Sequence, residues 1–278
     1  MKVNIPMQKN KIIQPEEKLA RNRREINESL KYASYIQKAI LPSPQVIKKS
    51  LPEHFLIFMP REVVSGDFYF ISQKRHRLFV AVADCTGHGV PGAFMSILGM
   101  TFLSEIIQHG NSSSAAVVLN QMREKVMSAM QQTGDDNEQK DGIDLALGII
   151  DSETNQFNYA GAFNPAYIVK KNRLLEILGD KMPIGVAADE EKPFTDHYCE
   201  LDEGDLVYFF TDGFVDQFGG PNGKKFKYQP FRSLIMKISL LPIHKQKEKL
   251  IEIFNEWKGN LQQLDDVLLL GWRYHRNN

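Results

Sequence analysis

Eight segments downstream of Pro52 have the length of β-strands and are rich in β-branched and aromatic residues. In chain order they are HFLIFM, DFYFIS, RLFVAVAD, DLALGIID, QFNYAG, AYIVK, DLVYFFTD and VLLLGWR. Every residue of Leu78–Ala83 and of Leu206–Phe210 is apolar. Strands of this kind need cover on both faces, so the fold must place other layers on both sides of its sheets.

Helical segments lie between these strands, at Pro91–His109, Ala115–Gln132, Tyr228–Ser239 and Lys245–Trp257. The strands follow one another in hairpin-like succession, and the helices come in pairs. The regular alternation of strand and helix that is typical of parallel sheets is absent from the pattern. We therefore predict an α+β fold in which antiparallel sheets are flanked by helices.

The first 50 residues differ in character from the rest of the chain. Residues 1–15 are polar and basic and show no periodicity, which predicts a disordered tail. Residues 16–50 contain an amphipathic helical pattern that the prolines of LPSP terminate. Its apolar side chains fall on one stripe, formed by Leu19, Ile26, Leu30, Ala33, Ile36 and Ile40. We therefore predict a linker helix in 16–50 and a globular domain in 51–278.

The stripe on the linker helix permits two interpretations, which can coexist. In one, the helix packs on its own domain, as amphipathic helices usually do. In the other, two copies of the chain pair along the stripe as a coiled coil and form a homodimer.

Charge and cysteine content exclude several classes of protein. Lys plus Arg and Asp plus Glu both total 34, so the overall charge gives no reason to expect a nucleic-acid partner. Residues 1–50 hold 11 Lys and Arg against 4 Asp and Glu, which leaves 23 against 30 for the remainder. The two cysteines, Cys85 and Cys199, lack the spacing of a zinc site. With a polar N-terminus and no apolar stretch of spanning length, the sequence predicts a cytoplasmic protein without a membrane span.

Acidic residues border the apolar strands at glycine-containing or acidic turns. They are Asp67, Asp84, Asp144, Asp212 and the adjacent pair Asp265 and Asp266. Any one of them alone is explained as an ordinary turn residue. Their repetition at strand ends indicates a site for a hard divalent cation such as Mg²⁺ or Mn²⁺, although spacing alone does not show that they converge. The turn after Asp84, CTGHGVPG, matches neither of the common glycine-rich phosphate loops.

Seven motifs occur in the order found in bacterial SpoIIE-type serine phosphatases. They are VSGDFYF, ADCTGHGVPGAF, DGIDLAL, AGAFNPAYIV, KMPIGV, YFFTDGFVDQFGG and LDDVLLLGW. The chain thus resembles that branch of the metal-dependent protein phosphatase superfamily, which includes protein phosphatase 2C. The resemblance extends from about Tyr32 to Arg273, and the YASYIQKAILPS segment is similar to the linker helix that precedes such domains.

The resemblance implies a four-layer αββα sandwich with a centre for two Mn²⁺ or Mg²⁺ ions at one end. Asp84 would bridge both ions, and the backbone carbonyl of Cys85 would bind one of them. Asp212 and Asp265 would hold the second ion, with Asp266 as the alternative to Asp265. Asp67 would act directly or through water.

Three further positions are candidates near such a site. Arg61 would bind the substrate phosphate through its guanidinium group, or else is a surface arginine at a strand end. Asn164 would line the site, or else is a turn residue before a proline. In the superfamily, the histidine that acts as general acid lies two residues after the bridging aspartate, where this chain has Thr86. The identity of the proton donor therefore stays open, and His88 is a candidate for it.

The resemblance implies a phosphoserine and phosphothreonine protein phosphatase in which a metal-activated water attacks phosphorus without a phosphoenzyme. It implies a phosphorylated regulatory protein as substrate, typically a STAS-type anti-sigma-factor antagonist. Two alternatives are a pseudophosphatase that binds a partner without turnover and a signalling adaptor that works through the linker helix. The acids at Asp67, Asp84, Asp212 and Asp265 argue against the pseudophosphatase.

Overall fold

The computed structural model describes residues 7–110, 112–132, 141–186 and 192–276, with side chains described from residue 17 onward. In chain order the strands are β1 (His54–Met59), β2 (Phe68–Lys74), β3 (Arg77–Cys85), β4 (Ile143–Asp151), β5 (Gln156–Ala162), β6 (Ala166–Lys170), β7 (Arg173–Ile177), β8 (His197–Glu200), β9 (Leu206–Phe210), β10 (Phe218–Gly219), β11 (Lys224–Lys225) and β12 (Val267–Arg273). The helices are α1 (Met7–Ile40), α2 (Pro44–Ser50), α3 (Gly89–His109), α4 (Ala115–Ala129), α5 (Gly213–Asp216), α6 (Tyr228–Ile238) and α7 (Ile243–Lys258).

Two five-stranded antiparallel sheets form the centre of the domain. One has the order β1-β12-β9-β6-β7, and the other has the order β2-β3-β4-β5-β8. Helices α3 and α4 cover the outer face of the second sheet, and α6 and α7 cover that of the first. The four-layer αββα sandwich is therefore confirmed. All eight strands predicted from the sequence are present, and the four predicted helices begin and end within three residues of their predicted bounds.

Large apolar side chains fill the spaces between the layers. Phe209 and Trp272 meet edge to face between the two sheets, with ring centroids 5.2 Å apart. The outer interface of the first sheet contains Phe231, Leu250 and Phe254 from α6 and α7. Every residue of β9 is buried, as its continuous apolar sequence predicts for a strand covered on both faces.

Helix α3 is the one described helix whose length and composition would also suit a membrane span, and half of its apolar window is buried. Leu103 and Ile107 are fully buried in the cluster that joins α3 to its sheet. This packing accounts for the apolar composition of the helix without reference to a membrane.

The N-terminal region departs from the prediction in two ways. Helix α1 begins at Met7, so residues 7–15 are helical where a disordered tail was predicted; residues 1–6 lie outside the described residues. Lys, Gln and Met in this stretch are good helix formers, which allows the helix to extend in this direction without an apolar stripe. Residues 16–50 also form two helices instead of one, because Pro42 and Pro44 separate α1 from α2.

The C-terminal part of the linker belongs to the core of the domain. Pro44 occupies the first turn of α2, where a proline is tolerated, and the Ser43 hydroxyl caps the helix by accepting a hydrogen bond from the Val46 amide. Leu41, Ile47 and Leu51 are buried against the second sheet. Packing therefore crosses the predicted boundary at residue 50.

Helix α1 uses one side to contact the domain and leaves much of its apolar stripe uncovered. Ser34 and Gln37 are buried, and they lie on the side that meets α3. Leu19 is 54% exposed and Ile26 is 59% exposed, and Ile36 and Ile40 are also exposed. Docking on the chain's own domain therefore does not cover the stripe.

Candidate metal centre

The strand-end carboxylates meet at one end of the sandwich. Asp67 directly precedes β2, Asp84 lies near the end of β3, and Asp144 stands opposite Asp84 in the register of β3 and β4. Asp212 follows β9 in the other sheet, and Asp265 precedes β12. Because neighbouring strands are antiparallel, these strand starts and strand ends share one edge of the sandwich.

The centre is open to solvent through a cavity of about 310 Å³. Its lining consists of Asp84, Cys85, Thr86, Gly87, His88, Asp144 and Asp265. After burial, the charge of Asp84 is the next cause that raises the pKa of Asp67, and the charge of Asp212 is the next that raises the pKa of Asp84, so Asp84 lies between acids contributed by the two sheets.

Burial and mutual repulsion raise the pKa values of these acids. Burial is the largest cause for each of them. The pKa values of Asp67 and Asp84 lie well above the ordinary value, and repulsion from neighbouring carboxylates adds to the effect of burial. The pKa of Asp144 is raised to about 7 and that of Asp212 to about 6. The site therefore holds more negative charge than its own side chains neutralise.

The chemistry of these donors fits hard divalent cations. All of the clustered side chains offer carboxylate oxygens, which Mg²⁺ and Mn²⁺ prefer. A bound cation would also relieve the repulsion that raises their pKa values. The residues present therefore fit the metal centre that the sequence predicts.

The structure separates the roles of the two adjacent acids before β12. Asp266 is buried, and its two carboxylate oxygens accept hydrogen bonds from the backbone amides of Arg61 (2.6 Å) and Gly66 (2.7 Å). Asp265 lines the cavity. Asp266 thus fastens the loop that leads to Asp67, whereas Asp265 is the member of the pair that lines the cavity.

Two positioning residues escaped the sequence analysis. The Thr211 hydroxyl donates a hydrogen bond of 2.7 Å to Asp67 and accepts one from the Leu268 amide, so it ties Asp67 to both β9 and β12. Gln37 of α1 donates to the Ser65 carbonyl (2.6 Å) and to the Ser96 hydroxyl (2.8 Å) and accepts from the Ser65 amide. The position of Thr211 beside Asp212 in the motif TDG was a sequence signal for the first contact, whereas Gln37 lies 28 residues from Ser65 and had none.

Close backbone contacts hold the turn after Asp84 in place. A side chain at Gly92 would come within 2.2 Å of the Gly87 carbonyl oxygen, and one at Gly66 would lie 2.7 Å from the same atom. The Cys85 carbonyl oxygen is 3.2 Å from the position of a side chain at Gly66. The start of α3, the glycine turn and the Asp67 loop therefore pack backbone to backbone, which only glycine permits.

The remaining candidates lie at different distances from the centre. The Arg61 side chain is exposed, and its charge lowers the pKa of Asp265, so the guanidinium group is near the cavity. His88 lines the cavity, and its Nδ1 lies 2.7 Å from Glu62 Oε1. Thr86 is bonded to the Gly142 backbone instead. Asn164 is buried in the turn between β5 and β6, where its backbone carbonyl accepts a hydrogen bond from the Tyr159 hydroxyl.

A second group with metal-ligating side chains lies at the opposite end of the sandwich. His76, Asp151 and Glu153 have ligand atoms within 4.8 Å of one another. Asp151 is already bonded to Arg77 and to the backbone amides of Glu153 and Thr154. These contacts satisfy the Asp151 carboxylate, in contrast to the repelling acids at the other end.

Comparisons with known proteins agree with this fold. The family model of Stage II sporulation protein E (SpoIIE) matches residues 74–275, and the chain belongs to this family. It is 23% identical over 197 residues to the phosphoserine phosphatase RsbU of Bacillus subtilis (strain 168), a match that covers 69% of this chain and 55% of RsbU. The chain thus spans little more than half the length of that relative.

Solved structures give the same result. The SiaA-PP2C domain of Pseudomonas aeruginosa is 31% identical, with a TM-score of 0.81, and the match covers 91% of this chain and 99% of that domain. The PP2C phosphatase domain of SpoIIE from Bacillus subtilis, solved with a fragment of its regulatory domain, has a TM-score of 0.64 at 18% identity, covering 81% of this chain and 64% of that one. The fold is therefore that of PP2C phosphatase domains.

The raised pKa values predict how pH affects the metal-free protein. The folded state holds the protons of Asp144 and Asp212 more tightly than the unfolded chain does, so their contribution to stability is present below about pH 4 and is lost as pH rises through about 6 to 7. In EDTA at pH 8, Asp144→Asn should therefore be more stable than wild type by on the order of 1–2 kcal/mol in the free energy of unfolding, and it should unfold at a higher temperature. Near pH 4 the stabilities of the two proteins should converge. Calorimetric scans at both pH values measure this. An equal destabilisation of the variant at both would contradict it.

Proposed function

We propose that the protein is a Mg²⁺- or Mn²⁺-dependent protein phosphatase that hydrolyses phosphoserine and phosphothreonine with two metal ions. The observation that carries this proposal is the convergence of strand-end carboxylates from both sheets in one solvent-accessible cavity. The serine phosphatases among the relatives support the reaction class.

The proposed ligands are the groups brought together at this end of the sandwich. They are Asp67, Asp84, the Cys85 carbonyl, Asp212 and Asp265. When bound, divalent ions lower the pKa of coordinated water and neutralise charge on the phosphoryl oxygens. Asp84, which lies between acids of the two sheets, is the proposed bridging ligand.

The protein's own residues orient these ligands and the substrate. Thr211 holds the Asp67 carboxylate, and Asp266 holds the loop from Arg61 to Gly66. The exposed Arg61 guanidinium is the proposed partner of the substrate phosphate, since its planar donors match two phosphate oxygens. Burial and the nearby acids raise the pKa of the Cys85 thiol well above its ordinary value, so this thiol is protonated and does not serve as a nucleophile. Attack by water without a phosphoenzyme fits this arrangement.

The proposed substrate is a phosphorylated regulatory protein in the cytoplasm, of the STAS type that the family resemblance implies. The described lining of the cavity is mostly polar and contains no large apolar side chain that would read a peptide sequence. Recognition of a folded partner over a wider surface fits this lining.

The first test of the centre is the removal of single carboxylates. Asp84→Asn and Asp212→Asn should each reduce kcat with Mn²⁺ by at least about a thousandfold, because each removes a metal ligand whose charge no neighbour replaces. Glu153→Gln, in the acidic group at the opposite end, is the matched control and should retain wild-type turnover. Hydrolysis of p-nitrophenyl phosphate is measured with the metal in excess, and circular dichroism confirms folding. Near-normal activity of either Asn variant at saturating Mn²⁺ would refute the assignment.

The second test concerns the kind of substrate. A phosphorylated STAS-type protein should be dephosphorylated with a kcat/KM at least about a hundredfold above that of a peptide with the same phosphoserine sequence, because remote contacts supply binding energy that a peptide lacks. Release of phosphate from both, measured at equal Mn²⁺, gives the ratio. Equal kcat/KM values would show that the enzyme has no dedicated protein partner.

We also propose that the linker helix forms a homodimer and transmits its geometry to the metal centre. The uncovered stripe on α1 offers apolar surface to a second copy, and burial of one such Leu or Ile contributes about 1.5–3 kcal/mol. Near its C-terminal end, on the same face as the stripe, α1 places Gln37 against Ser65, whose hydroxyl accepts a hydrogen bond from the Asp67 amide. A shift of α1 would therefore reach a proposed metal ligand through two hydrogen bonds.

The linker proposal predicts a joint change in mass and metal affinity. Leu19→Asp/Ile26→Asp, at two exposed positions of the stripe, should convert a dimer to a monomer and weaken the apparent affinity for Mn²⁺ by several-fold. Arg24→Asp, on the opposite side of the helix, is the control and should leave both unchanged. Light scattering gives the mass, and activity at increasing Mn²⁺ gives the affinity. A monomeric wild type, or a double variant with unchanged mass and Mn²⁺ dependence, would overturn the proposal.

A further inference from the structure

A basic hairpin borders the metal centre on the side of the first sheet. Its two short strands, β10 and β11, pair antiparallel and connect α5, which follows Asp212, to α6. Lys224, Lys225 and Lys227 lie on its returning arm, and all three are exposed. We call these residues the lysine arm.

The hairpin is held rigidly by a single aromatic residue of α7. The Trp257 indole donates a hydrogen bond of 2.9 Å to the Gln217 carbonyl, and the Gly220 amide donates one of 2.8 Å to the Trp257 carbonyl. A side chain at Gly219 or Gly220 would collide with Trp257, at 1.9 and 2.5 Å. The ring of Phe226 packs edge to face on the same indole. The lysine arm is therefore presented from a fixed platform.

The side chains of two members of the lysine arm form no ion pair among the described residues. Lys225 forms an ion pair of 2.6 Å with Asp216, but Lys224 and Lys227 have no acidic partner among the described residues. Lys227 also has a φ of +74°, a conformation that an L-residue with a side chain adopts at a cost. Backbone of this kind persists where surrounding structure imposes it, and here its amide donates to the Val215 carbonyl.

The lysine arm lies close to the proposed catalytic carboxylates. Lys225 pairs with Asp216, whose amide donates a hydrogen bond of 2.8 Å to the Asp212 carbonyl, and the Lys227 amide donates to the Val215 carbonyl. The arm is therefore fastened to α5, which begins directly after Asp212. A phosphoserine bound at these carboxylates would have flanking residues on the side of the arm, and exposed charges interact over about a Debye length, about 10 Å at 0.1 M salt.

The charge of the arm contrasts with that of the domain around it. Residues 51–278 carry 23 Lys and Arg against 30 Asp and Glu, yet three lysines fall within four positions here. We propose that the lysine arm binds acidic side chains that flank the phosphoserine of the substrate protein. This inference rests on the proposed phosphatase function and adds a specificity determinant to it, since complementary charge selects partners and orients them.

The test compares two synthetic phosphoserine peptides that differ only in charge. One has Glu at the positions flanking the phosphoserine, and the other has Gln at the same positions. The full-length wild-type protein with Mn²⁺ should hydrolyse the Glu peptide with a kcat/KM about tenfold higher at low salt, and the ratio should approach one at about 0.5 M NaCl. The ratio is the measured quantity, so slow turnover of short peptides does not affect it.

Charge reversal locates the effect. Lys224→Glu/Lys227→Glu should abolish or invert the preference for the Glu peptide, whereas Lys225 is left intact because it contacts Asp216. Lys237→Glu/Lys247→Glu, at exposed lysines toward the far ends of α6 and α7, makes the same change of charge and should keep the wild-type ratio. Thermal unfolding confirms that both double variants are folded.

The outcomes separate this inference from the function on which it rests. A wild-type ratio near one, or a lysine-arm variant that keeps the wild-type preference, overturns the docking proposal while hydrolysis itself still supports a phosphatase. If the control variant also loses its preference for the Glu peptide, the preference arises from net charge and not from the lysine arm. That result also overturns the docking proposal. A wild-type protein that hydrolyses neither the peptides nor p-nitrophenyl phosphate with Mn²⁺ refutes both proposals.

Discussion

Repulsion among buried carboxylates is the constraint to which the rest of this structure is adapted. Asp67 and Asp84 from one sheet and Asp212 from the other are brought to the same edge of the sandwich, where burial and neighbouring charge raise their pKa values. Nothing in an apolar core would favour such an arrangement, because unpaired buried charge is destabilising. The structure keeps it by anchoring each acid at the end of a strand whose other residues are deeply buried. The stability of the sandwich as a whole therefore offsets the cost of bringing these acids together.

Neighbouring residues hold this arrangement in place from several directions. Asp266 binds two backbone amides of the loop before Asp67, Thr211 binds the Asp67 carboxylate, and Gln37 reaches the same loop from the linker. One short loop thus receives contacts from both sheets and from α1. Any movement of the linker acts on a loop that has few other ways to adjust. This makes the Asp67 loop the natural point at which assembly of the chain and metal binding would be coupled.

Much of the fold was predictable because its strands are long and strongly apolar. All eight such segments are strands, while the missed ones are short and partly exposed. β8, HYCE, alternates half-buried with exposed residues over only four positions, and β10 and β11 have two residues each. The linker was misjudged for a different reason: local propensity extends α1 to Met7, and the burial of Leu41 and Ile47, which makes α2 part of the domain, depends on residues distant in sequence.

The sequence by itself determined the eight long strands, the four helices that flank the sheets, the family and the identity of the acids that border the strands. Local hydrophobic pattern and ordered motifs contain this information, because strand period and turn chemistry are properties of neighbouring residues. Only the tertiary structure decided that Asp265 faces the cavity while Asp266 fastens a loop, and that Gln37 contacts the Asp67 loop. Adjacent aspartates are indistinguishable in a sequence. Their difference arises from which amides the folded chain brings within hydrogen-bonding distance, and that depends on contacts about 200 residues apart.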